Sequence, residues 1–551
     1  MSTAISRREL IALMLGLPAL SSGCSSEPAL PPAGELLGQS HSIGHRIRDG
    51  FQPVPAEDAW QSVDVVIVGA GAAGLSAAWN LQKAGIESFV VLELEPDAGG
   101  TSRAGQSEGR SFPWGAHYLP VPFSENRPLI SLLQEMGLVE SLDADGTPVI
   151  QEESLCREPE ERLFFQDRWI EGLYPATGAS KDDLAQLAAF RSEIDRWSER
   201  KDSSGRRAFV IPTSQSSIDP EVMQLDQQTM GDWLRSHGWN SERLHWLVDY
   251  SCRDDYGLTS EQTSAWAGIL YFASRQEQAG SDHQPLMTWP EGNARLTRHL
   301  ALSTGDRLKT GVAVTKIRPN GSIRTEADTS EGEGAELCEV TAFETATQKA
   351  IGFRARRVIF AAPQFMAPRL IAGLSDQTDR SSSGFRYGSW VVANLHLKDR
   401  PGSVGFPMSW DNVIHGSPSL GYVVSNHQTG HDYGPTVLTW YYPVIGPDVR
   451  QVREKLLRAT WAELADVVLT DLERAHPEIR QLTTKLDVYL WGHAMIQPVV
   501  GFRSSNQRAN ALMPVGGIHF ANTDLSGIAL FEEAFDHGCR AAAEVSAGLS
   551  G

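Results

Sequence analysis

The chain has 551 residues, of which 41% are hydrophobic and 21% are charged, and its formal net charge is −20 at pH 7. This composition excludes a disordered or fibrous chain and predicts two or three domains with substantial cores. The acidic balance leaves no basic face that could neutralise phosphates, so we predict that nucleic acid is not a partner. An acidic surface could attract cationic substrates such as amines, or it could serve solubility alone.

The N-terminus has the pattern of a bacterial twin-arginine export signal. Arg7 and Arg8 precede an apolar stretch from Leu10 to Gly23, which is too short to cross a bilayer as a helix. The alternative is a frayed amphipathic terminus. The small residues before Cys24 resemble a lipoprotein cleavage box, which predicts a lipid anchor at that cysteine.

We therefore expect residues 1–23 to be a signal peptide read by the twin-arginine machinery, and the mature protein to lie in the periplasm or cell envelope. Residues 24–60 contain several Pro, Gly and Ser residues and predict a flexible tether without a core. The remaining cysteines form no CxxC motif and no His/Cys cluster with metal-ligand spacing, so we predict no metal site.

The stretch VVIVGAGAAGL, residues 65–75, predicts a buried strand, a tight turn and a helix. Gly69 permits the turn, Gly71 lets the backbone approach a pyrophosphate, and Gly74 lets the helix pack closely on the strand. Ala73 lies in the first turn of the helix, whose free N–H groups can bind an anion. The stretch therefore predicts a dinucleotide site.

A second predicted strand, Phe89 to Leu92, ends at Glu93. A carboxylate at this position can accept hydrogen bonds from ribose hydroxyls and would repel a 2′-phosphate. NADP is therefore disfavoured, whereas NAD and FAD both remain possible.

The chain continues as LEPDAGGTSRAG, in which Gly99 and Gly100 again let the backbone approach the dinucleotide. This segment resembles the flavin amine oxidase superfamily, which includes monoamine and polyamine oxidases, phytoene-type desaturases and protoporphyrinogen oxidase. In that family an arginine usually follows the glycine pair, whereas here Thr101 follows it and Arg103 comes two residues later. The resemblance implies that these four residues contact the cofactor.

The resemblance extends over most of the chain from residue 62. Gly115 and Ala116 resemble the family's segment beside the flavin ring, and Val314 lies in a segment similar to the strand that holds the adenine. The C-terminal segment resembles the second flavin-binding segment. This implies that Asp524 takes a ribityl hydroxyl and that Ile528 also contacts the flavin.

The cofactor implied by the resemblance is non-covalently bound FAD. A nicotinamide dehydrogenase would not need a second cofactor-binding segment such as residues 519–538. This segment therefore favours FAD over NAD, the two dinucleotides that Glu93 leaves possible.

The resemblance implies an α/β fold, with a Rossmann-type doubly wound FAD-binding domain and an α+β substrate-binding domain. The FAD-binding domain should comprise residues 61–125, 286–385 and 500–551. The first insertion, residues 126–285, predicts a helical lid. The second insertion, residues 386–499, reads as strands and should form the sheet of the substrate cavity.

Three histidines are candidate catalytic residues. His117 follows the segment expected beside the flavin ring, His493 follows a tryptophan expected near the flavin face, and His427 lies in a polar loop of the second insertion. Each of them could instead be a structural hydrogen-bonding residue. Val392 falls where family members commonly have a lysine near the flavin, so the electron acceptor could be O₂, a quinone or another carrier.

The sequence thus predicts an exported bacterial FAD-dependent oxidoreductase with a small-molecule substrate. The favoured reaction is hydride removal from the carbon next to an amine nitrogen, with polyamines among the possible substrates. One alternative is a desaturase or dehydrogenase of a lipid-like or isoprenoid substrate. Another is a flavin-binding protein without catalytic activity.

Overall fold

The computed structural model describes residues 32–276, 284–320, 337–376 and 380–550 of the chain. The signal peptide predicted for residues 1–23 and the lipidation site predicted at Cys24 lie outside these ranges. The strands in the described ranges are β1 (Leu36–Gly38), β2 (Trp60–Val68), β3 (Phe89–Leu92), β4 (Ala104–Ser107), β5 (Arg110–Pro113), β6 (Tyr118–Pro120), β7 (Val139–Leu142), β8 (Pro148–Ile150), β9 (Glu161–Phe165), β10 (Arg168–Glu171), β11 (Leu286–Thr288), β12 (Leu308–Lys309), β13 (Val312–Arg318), β14 (Cys338–Glu344), β15 (Ala350–Phe360), β16 (Tyr387–Leu397), β17 (Asp411–Ile414), β18 (Tyr422–Val424), β19 (Thr436–Val444), β20 (Thr483–Ile496) and β21 (Ile518–Phe520).

The helices of the same ranges are α1 (His41–Arg48), α2 (Ala72–Lys83), α3 (Arg127–Glu135), α4 (Lys181–Glu199), α5 (Pro220–Gln224), α6 (Met230–Ser236), α7 (Glu242–Tyr256), α8 (Ala265–Ala273), α9 (Ala294–Thr304), α10 (Ala367–Leu370), α11 (Val449–Leu456), α12 (Trp461–Leu472), α13 (Ile479–Leu482), α14 (Asn506–Leu512) and α15 (Phe531–Ser550). Of these described helices, none combines the length and hydropathy that a membrane span requires.

The first large sheet has the strand order β12-β3-β2-β15-β14-β13, and β21 also pairs with β15. The strands β12, β3, β2, β15 and β21 run parallel. Residues 65–68 of β2 are buried because apolar clusters lie on both faces of the sheet, as a continuous β-branched run predicts. The predicted Rossmann-type α/β domain is confirmed.

The second large sheet has the order β1-β20-β16-β19-β18-β17-β9-β10. Its central strand β16 is buried along its whole length. Helices α11 to α13 cover one face, and aromatic side chains line the other. Helices α4 to α8 form a separate helical layer with its own core.

The segment 126–285, predicted as a helical lid, is only partly helical. Strands β9 and β10 form a hairpin that joins the second sheet. Gln166 and Asp167 form its turn with positive φ values of 52° and 60°, a conformation that is usually signalled by Asn-Gly or Asp-Gly. Helix α3 packs into the core of the FAD-binding domain instead of the lid.

The flexible tether predicted for residues 24–60 is wrong for the part that the structure describes. Strand β1 pairs in parallel with β20, with Leu36 opposite Val488. Helix α1 buries Ile47 in one of the apolar clusters of the first sheet. Apolar residues at intervals among the Pro, Gly and Ser residues give this segment enough buried surface to become ordered.

Helices α2 and α15 cross at very close range beside the first sheet. A Cβ atom at Gly538 would lie 2.0 Å from the Ser76 hydroxyl and 2.2 Å from the carbonyl oxygen of Ala73. At the start of α2, a Cβ at Gly74 would lie 1.9 Å from the carbonyl oxygen of Gly69 in the preceding loop. Helix α15 can therefore pack this closely on α2 only because Gly538 has no side chain.

We expect Gly538→Ala to lower the free energy of unfolding by about 2 kcal/mol, because the added methyl group overpacks a backbone contact. Chemical denaturation measures this change. Gly44→Ala is the matched control, since Gly44 is helical and a Cβ there meets nothing within 4 Å. Equal stability of the two variants would contradict the packing described here.

Candidate active site

The glycine loop forms a bare concave surface at the end of β2. Gly69 has a φ of 98°, which favours glycine. A Cβ at Gly100 would lie 3.2 Å from the Cα of Gly71, and the Gly99 N–H donates to the Ala70 carbonyl oxygen at 2.8 Å. No side chain caps the N-terminus of α2. The backbone here is therefore open to an anionic ligand such as a pyrophosphate.

Glu93 presents a buried carboxylate next to this loop. It accepts hydrogen bonds from the N–H groups of Ala70 at 2.7 Å and Glu95 at 2.9 Å. Burial raises the pKa of Glu93, and the two N–H groups oppose that rise. The carboxylate thus has a fixed orientation, as a ribose acceptor requires.

Arg103, predicted to contact the cofactor, is held by protein groups. Its Nε donates to the Gly100 carbonyl oxygen at 3.2 Å, and its guanidinium also donates to the Tyr489 hydroxyl. It lies 3.6 Å from the Glu95 carboxylate. These contacts tie the glycine-pair loop to the second large sheet, called the substrate sheet from here on.

The segment predicted to lie beside the flavin ring connects the glycine-pair loop to the cavity. The Ala116 N–H donates to the Thr101 carbonyl oxygen at 3.0 Å, and a Cβ at Gly115 would lie 2.2 Å from the same oxygen. The Tyr441 hydroxyl donates to the Gly115 carbonyl oxygen at 2.9 Å. Thr101, Gly115 and Ala116 all line the cavity described next.

A large cavity lies between the two sheets and the helical layer. It holds about 1030 Å³ of atom-free space, part of it open to solvent. Its lining combines aromatic, acidic and backbone groups: Thr101, Gly115, Ala116, His117, Tyr118, Pro120, Tyr250, Asp254, Asp255, Arg275, Asn293, Trp390, Val392, Asp411, Leu420, Tyr422, Val423, Tyr441, Trp491, Ala494, Met495, Ala529, Leu530, Phe531 and Glu532. A concave site lined mainly by aromatic and apolar side chains with a few polar groups suits a small-molecule substrate.

Buried carboxyl groups gather at one part of this cavity. Asp254 and Asp411 line it, and Glu161 is the partner of Asp411 on the neighbouring strand β9. Burial, followed by the nearby Asp255, raises the pKa of Asp254 to about 7. Burial, followed by Glu160, raises the pKa of Glu161 to about 7. Burial and then Asp254 hold the pKa of Asp411 well above its ordinary value.

One carboxylate of this group has a cationic partner. Asp255 forms an ion pair with Arg275 at 2.9 Å and accepts a hydrogen bond from the Tyr118 hydroxyl at 3.3 Å. Among the described residues that line the cavity, Arg275 is the one arginine or lysine. The residues described contain no group of three His, Cys, Asp or Glu side chains arranged to hold a metal ion.

Aromatic rings form the walls beside these carboxyl groups. Tyr250, Trp390, Tyr441 and Trp491 line the cavity, and Tyr441 stacks on His117 with a centroid distance of 4.5 Å. The neighbours of Tyr441 in strand β19 point to the opposite side and pack in the core behind the sheet. The π faces of aromatic rings that line a cavity can hold a cation.

The three candidate histidines occupy different environments. His117 lines the cavity, and burial lowers its pKa to about 4, so it is neutral at pH 7 and a weak base. The Nε2 of His427 lies 2.7 Å from the Arg157 carbonyl oxygen, and His493 stacks on Phe365 with a centroid distance of 4.3 Å. Neither His427 nor His493 lines the cavity. Both have the hydrogen-bonding or packing environment of structural histidines.

The remaining predicted cofactor residues lie in the first sheet, in the loop after β21 and in the core of the helical layer. Val314 is buried in β13, next to a register shift that precedes Lys316. The Asp524 carboxylate accepts hydrogen bonds from the Gln364 N–H at 2.7 Å and the Tyr387 hydroxyl at 2.6 Å, and burial raises its pKa to about 6. Ile528 belongs to the core of the helical layer.

The acidic groups of the cavity are not predicted from the sequence pattern. Asp254 and Asp255 are consecutive charges near the end of α7, and Asp411 starts β17 directly after Trp410. Consecutive charges in a helix usually indicate an exposed face, so this pattern alone does not reveal a cavity. Only the pairing of β17 with β9 brings Asp411 and Glu161 together.

FAD fits these groups. The bare glycine loop, the uncapped helix N-terminus and the oriented Glu93 carboxylate accommodate a pyrophosphate and a ribose. Thr101, Gly115 and Ala116 extend from this loop into the substrate cavity. Together they define a dinucleotide-dependent oxidoreductase.

The chain belongs to the family of flavin-containing amine oxidoreductases, whose model matches residues 72–546. The protein is therefore an FAD-dependent oxidoreductase. A Baeyer-Villiger monooxygenase from Streptomyces coelicolor is 26% identical over 253 residues, which cover 41% of this chain and about half, 48%, of that enzyme.

The structure resembles several solved structures with low sequence identity. Putrescine oxidase bound to putrescine is 18% identical with a TM-score of 0.63, and cyclohexylamine oxidase from Brevibacterium oxydans is 19% identical with a TM-score of 0.60. Each match covers 89% of this chain and 100% of the other. A fatty acid isomerase from P. acnes is 15% identical with a TM-score of 0.60, covering 88% and 98%. These likenesses show a shared fold that serves different substrates.

We expect Glu93→Gln to weaken FAD binding by roughly 10- to 100-fold, because a hydrogen bond to a charged acceptor contributes about 1.5–3 kcal/mol. Titration of the apoprotein with FAD, followed by flavin fluorescence, measures the change. Asp97→Asn is the matched control, since Asp97 is an exposed carboxylate of the same loop. An equal loss of affinity in both variants would exclude the ribose role of Glu93.

Proposed function

We propose that the protein oxidises a small cationic amine at the carbon next to the nitrogen. The observation that carries this proposal is the pair of carboxyl groups, Asp254 and Asp411, that line a cavity walled by aromatic rings. The cation that lines the cavity, Arg275, is already paired with Asp255. An incoming ammonium group would therefore find carboxylates available for pairing.

The electrostatics of the cavity favour an amine over a lipid-like substrate. Removing carboxyl groups from water is costly, as the raised pKa values of Asp254, Asp411 and Glu161 indicate. An ammonium ion removes that cost by stabilising the ionised forms. An isoprenoid or fatty chain would leave the cost in place, so these residues disfavour the desaturase alternative.

The number of acidic groups favours a substrate with more than one cationic centre. Asp411 and Glu161 occupy paired positions on adjacent strands, whose backbones lie about 5 Å apart. Asp254 raises the pKa values of both side chains, so the three carboxyl groups interact. One ammonium group can neutralise only part of this cluster, and a diamine or polyamine neutralises more of it.

FAD supplies the hydride acceptor, and the residues of the chain supply binding, orientation and proton transfer. The aromatic walls restrict the substrate, and Thr101, Gly115 and Ala116 form the end of the cavity nearest the glycine loop. Asp254, with a pKa of about 7, can take the proton that an ammonium must lose before its nitrogen is neutral. His117, with a pKa of about 4, is too weak a base for this transfer. Loss of a hydride from the neutral amine leaves an iminium ion, which water hydrolyses to a carbonyl product and ammonium.

The first experiment is anaerobic addition of a monoamine, a diamine or a polyamine to the holoprotein, followed by flavin absorbance. We expect bleaching of the oxidised-flavin bands, with half-saturation at the lowest concentration for a diamine or polyamine. In Asp411→Asn, half-saturation should require about tenfold more of that amine, because a charged partner is lost. The exposed Glu158 provides the control variant Glu158→Gln.

A flavin that accepts electrons from dithionite but not from any amine would contradict the proposed reaction. Such a result would favour a different substrate or a non-catalytic flavin-binding role. Readmission of air after bleaching distinguishes O₂ from another electron acceptor, since rapid return of the oxidised spectrum requires reaction with O₂.

Amine binding should strengthen as the pH rises from 6 to 8. The carboxyl groups of Asp254 and Glu161, with pKa values of about 7, lose their protons in this interval, whereas an aliphatic ammonium stays charged. The half-saturating concentration in the anaerobic titration should therefore fall. In Asp254→Asn the dependence should be weaker, and a flat profile in the unmodified protein would refute the electrostatic role of the cluster.

A further inference from the structure

The residues that precede β2 form a strap across the two sheets, defined here as residues 32–52. At its start, the strap lies against the substrate sheet. A Cβ at Gly34 would lie 1.8 Å from the Leu486 carbonyl oxygen, and the Val488 N–H donates to the Glu35 carbonyl oxygen at 2.9 Å. Strand β1 continues this pairing along β20. The strap thus contributes an edge strand, β1, to the substrate sheet.

The strap then contacts the loop that carries the ribose acceptor. The backbone N–H and the hydroxyl of Ser40 donate to the Glu95 carboxylate at 2.8 Å and 3.2 Å. The Glu95 N–H donates to the Glu93 carboxylate, and the Glu95 carboxylate lies 3.6 Å from Arg103. Ser40 therefore contacts Glu95, and the backbone N–H of Glu95 orients the Glu93 carboxylate.

The far end of the strap packs on β13, which contains the predicted adenine residue Val314, and on β14. Ile47 belongs to the same apolar cluster as Val314. The Phe51 ring lies 5.2 Å from the ring of Phe343 in β14, measured between centroids, and Lys316 donates to Gln52 at 3.3 Å. The strap thus joins the substrate sheet to β13 and crosses the Glu93–Arg103 loop on the way.

We infer that the strap closes the adenosine end of the FAD site, and that FAD enters and leaves only when the strap has moved away. Ser40 is then a positioning residue that acts on the cofactor site through Glu95. The strap precedes residue 72, where the match to the family begins. The inference rests on the FAD site and is independent of the amine substrate proposed above.

A disulfide across β1 and β20 tests this inference directly. A Cβ at Gly38 would lie 3.9 Å from the Cβ of Leu490, which suits a disulfide. In Gly38→Cys/Leu490→Cys, flavin fluorescence would follow FAD uptake by the apoprotein and FAD release from the holoprotein. We expect both rates to be about tenfold or more slower in the oxidised protein than after reduction, because the barrier then includes opening a locked strap.

Two controls complete the disulfide experiment. The single variant Gly38→Cys reveals any effect of oxidant on the native cysteines, and the reduced double variant reveals the effect of the substitutions. Equal rates of FAD exchange in the oxidised and reduced double variant would overturn the inference, because the strap would then be irrelevant to passage of the cofactor.

Ser40→Ala tests the same inference in the opposite direction. It removes the hydroxyl bond to Glu95 and keeps the backbone bond, so FAD release should accelerate by about three- to tenfold. Ser42→Ala is the control, since Ser42 is exposed on α1. Thermal unfolding of the apoproteins separates the roles: a purely structural Ser40 would lower the Tm and leave FAD release unchanged, which would contradict the inference.

Discussion

The arrangement of the active site depends on the backbone carbonyls of residues 113–115. The side chain of Asn394 donates to the Pro113 oxygen at 3.1 Å, the Trp491 indole to the Trp114 oxygen at 2.7 Å, and the Tyr441 hydroxyl to the Gly115 oxygen at 2.9 Å. Buried carbonyl groups outside regular structure must find such donors. Because all three donors belong to the substrate sheet, satisfying this short segment also fixes the cavity against the cofactor loop.

The acidic cluster of Asp254, Asp411 and Glu161 makes the stability of the fold depend on pH. Asp254 and Glu161 have pKa values of about 7 in the folded chain, compared with ordinary values of 3.8 and 4.5. Between these limits the folded state binds more protons than the unfolded state, so the free energy of unfolding falls as the pH rises. A bound cation favours the ionised carboxyl groups and offsets this loss. When the cavity is empty, these carboxyl groups therefore destabilise the folded state more at neutral pH than at acidic pH.

The parts of the structure that follow from local pattern could be predicted from the sequence. The β-branched run before Gly69 indicates the buried strand and the turn, and the second strand before Glu93 is also indicated, because each feature depends on neighbouring residues. The acidic cluster could not be predicted, since Asp411 and Glu161 meet only through the pairing of two distant strands. Composition predicts a flexible tether where β1 and α1 form, because these elements are ordered by packing partners elsewhere in the chain. His427 and His493 are candidates by their positions in the sequence, but sequence position alone does not specify which side chains surround a residue in the fold.

The parallel pairing of β1 with β20 also constrains the order in which the protein can be built. Glu35 donates its N–H to Asp487, 452 residues further along the chain. During synthesis the strap therefore leaves the ribosome well before β20, the strand on which it docks. The strap must remain undocked while the intervening residues are translated, and it can take its place only after β20 has joined the substrate sheet.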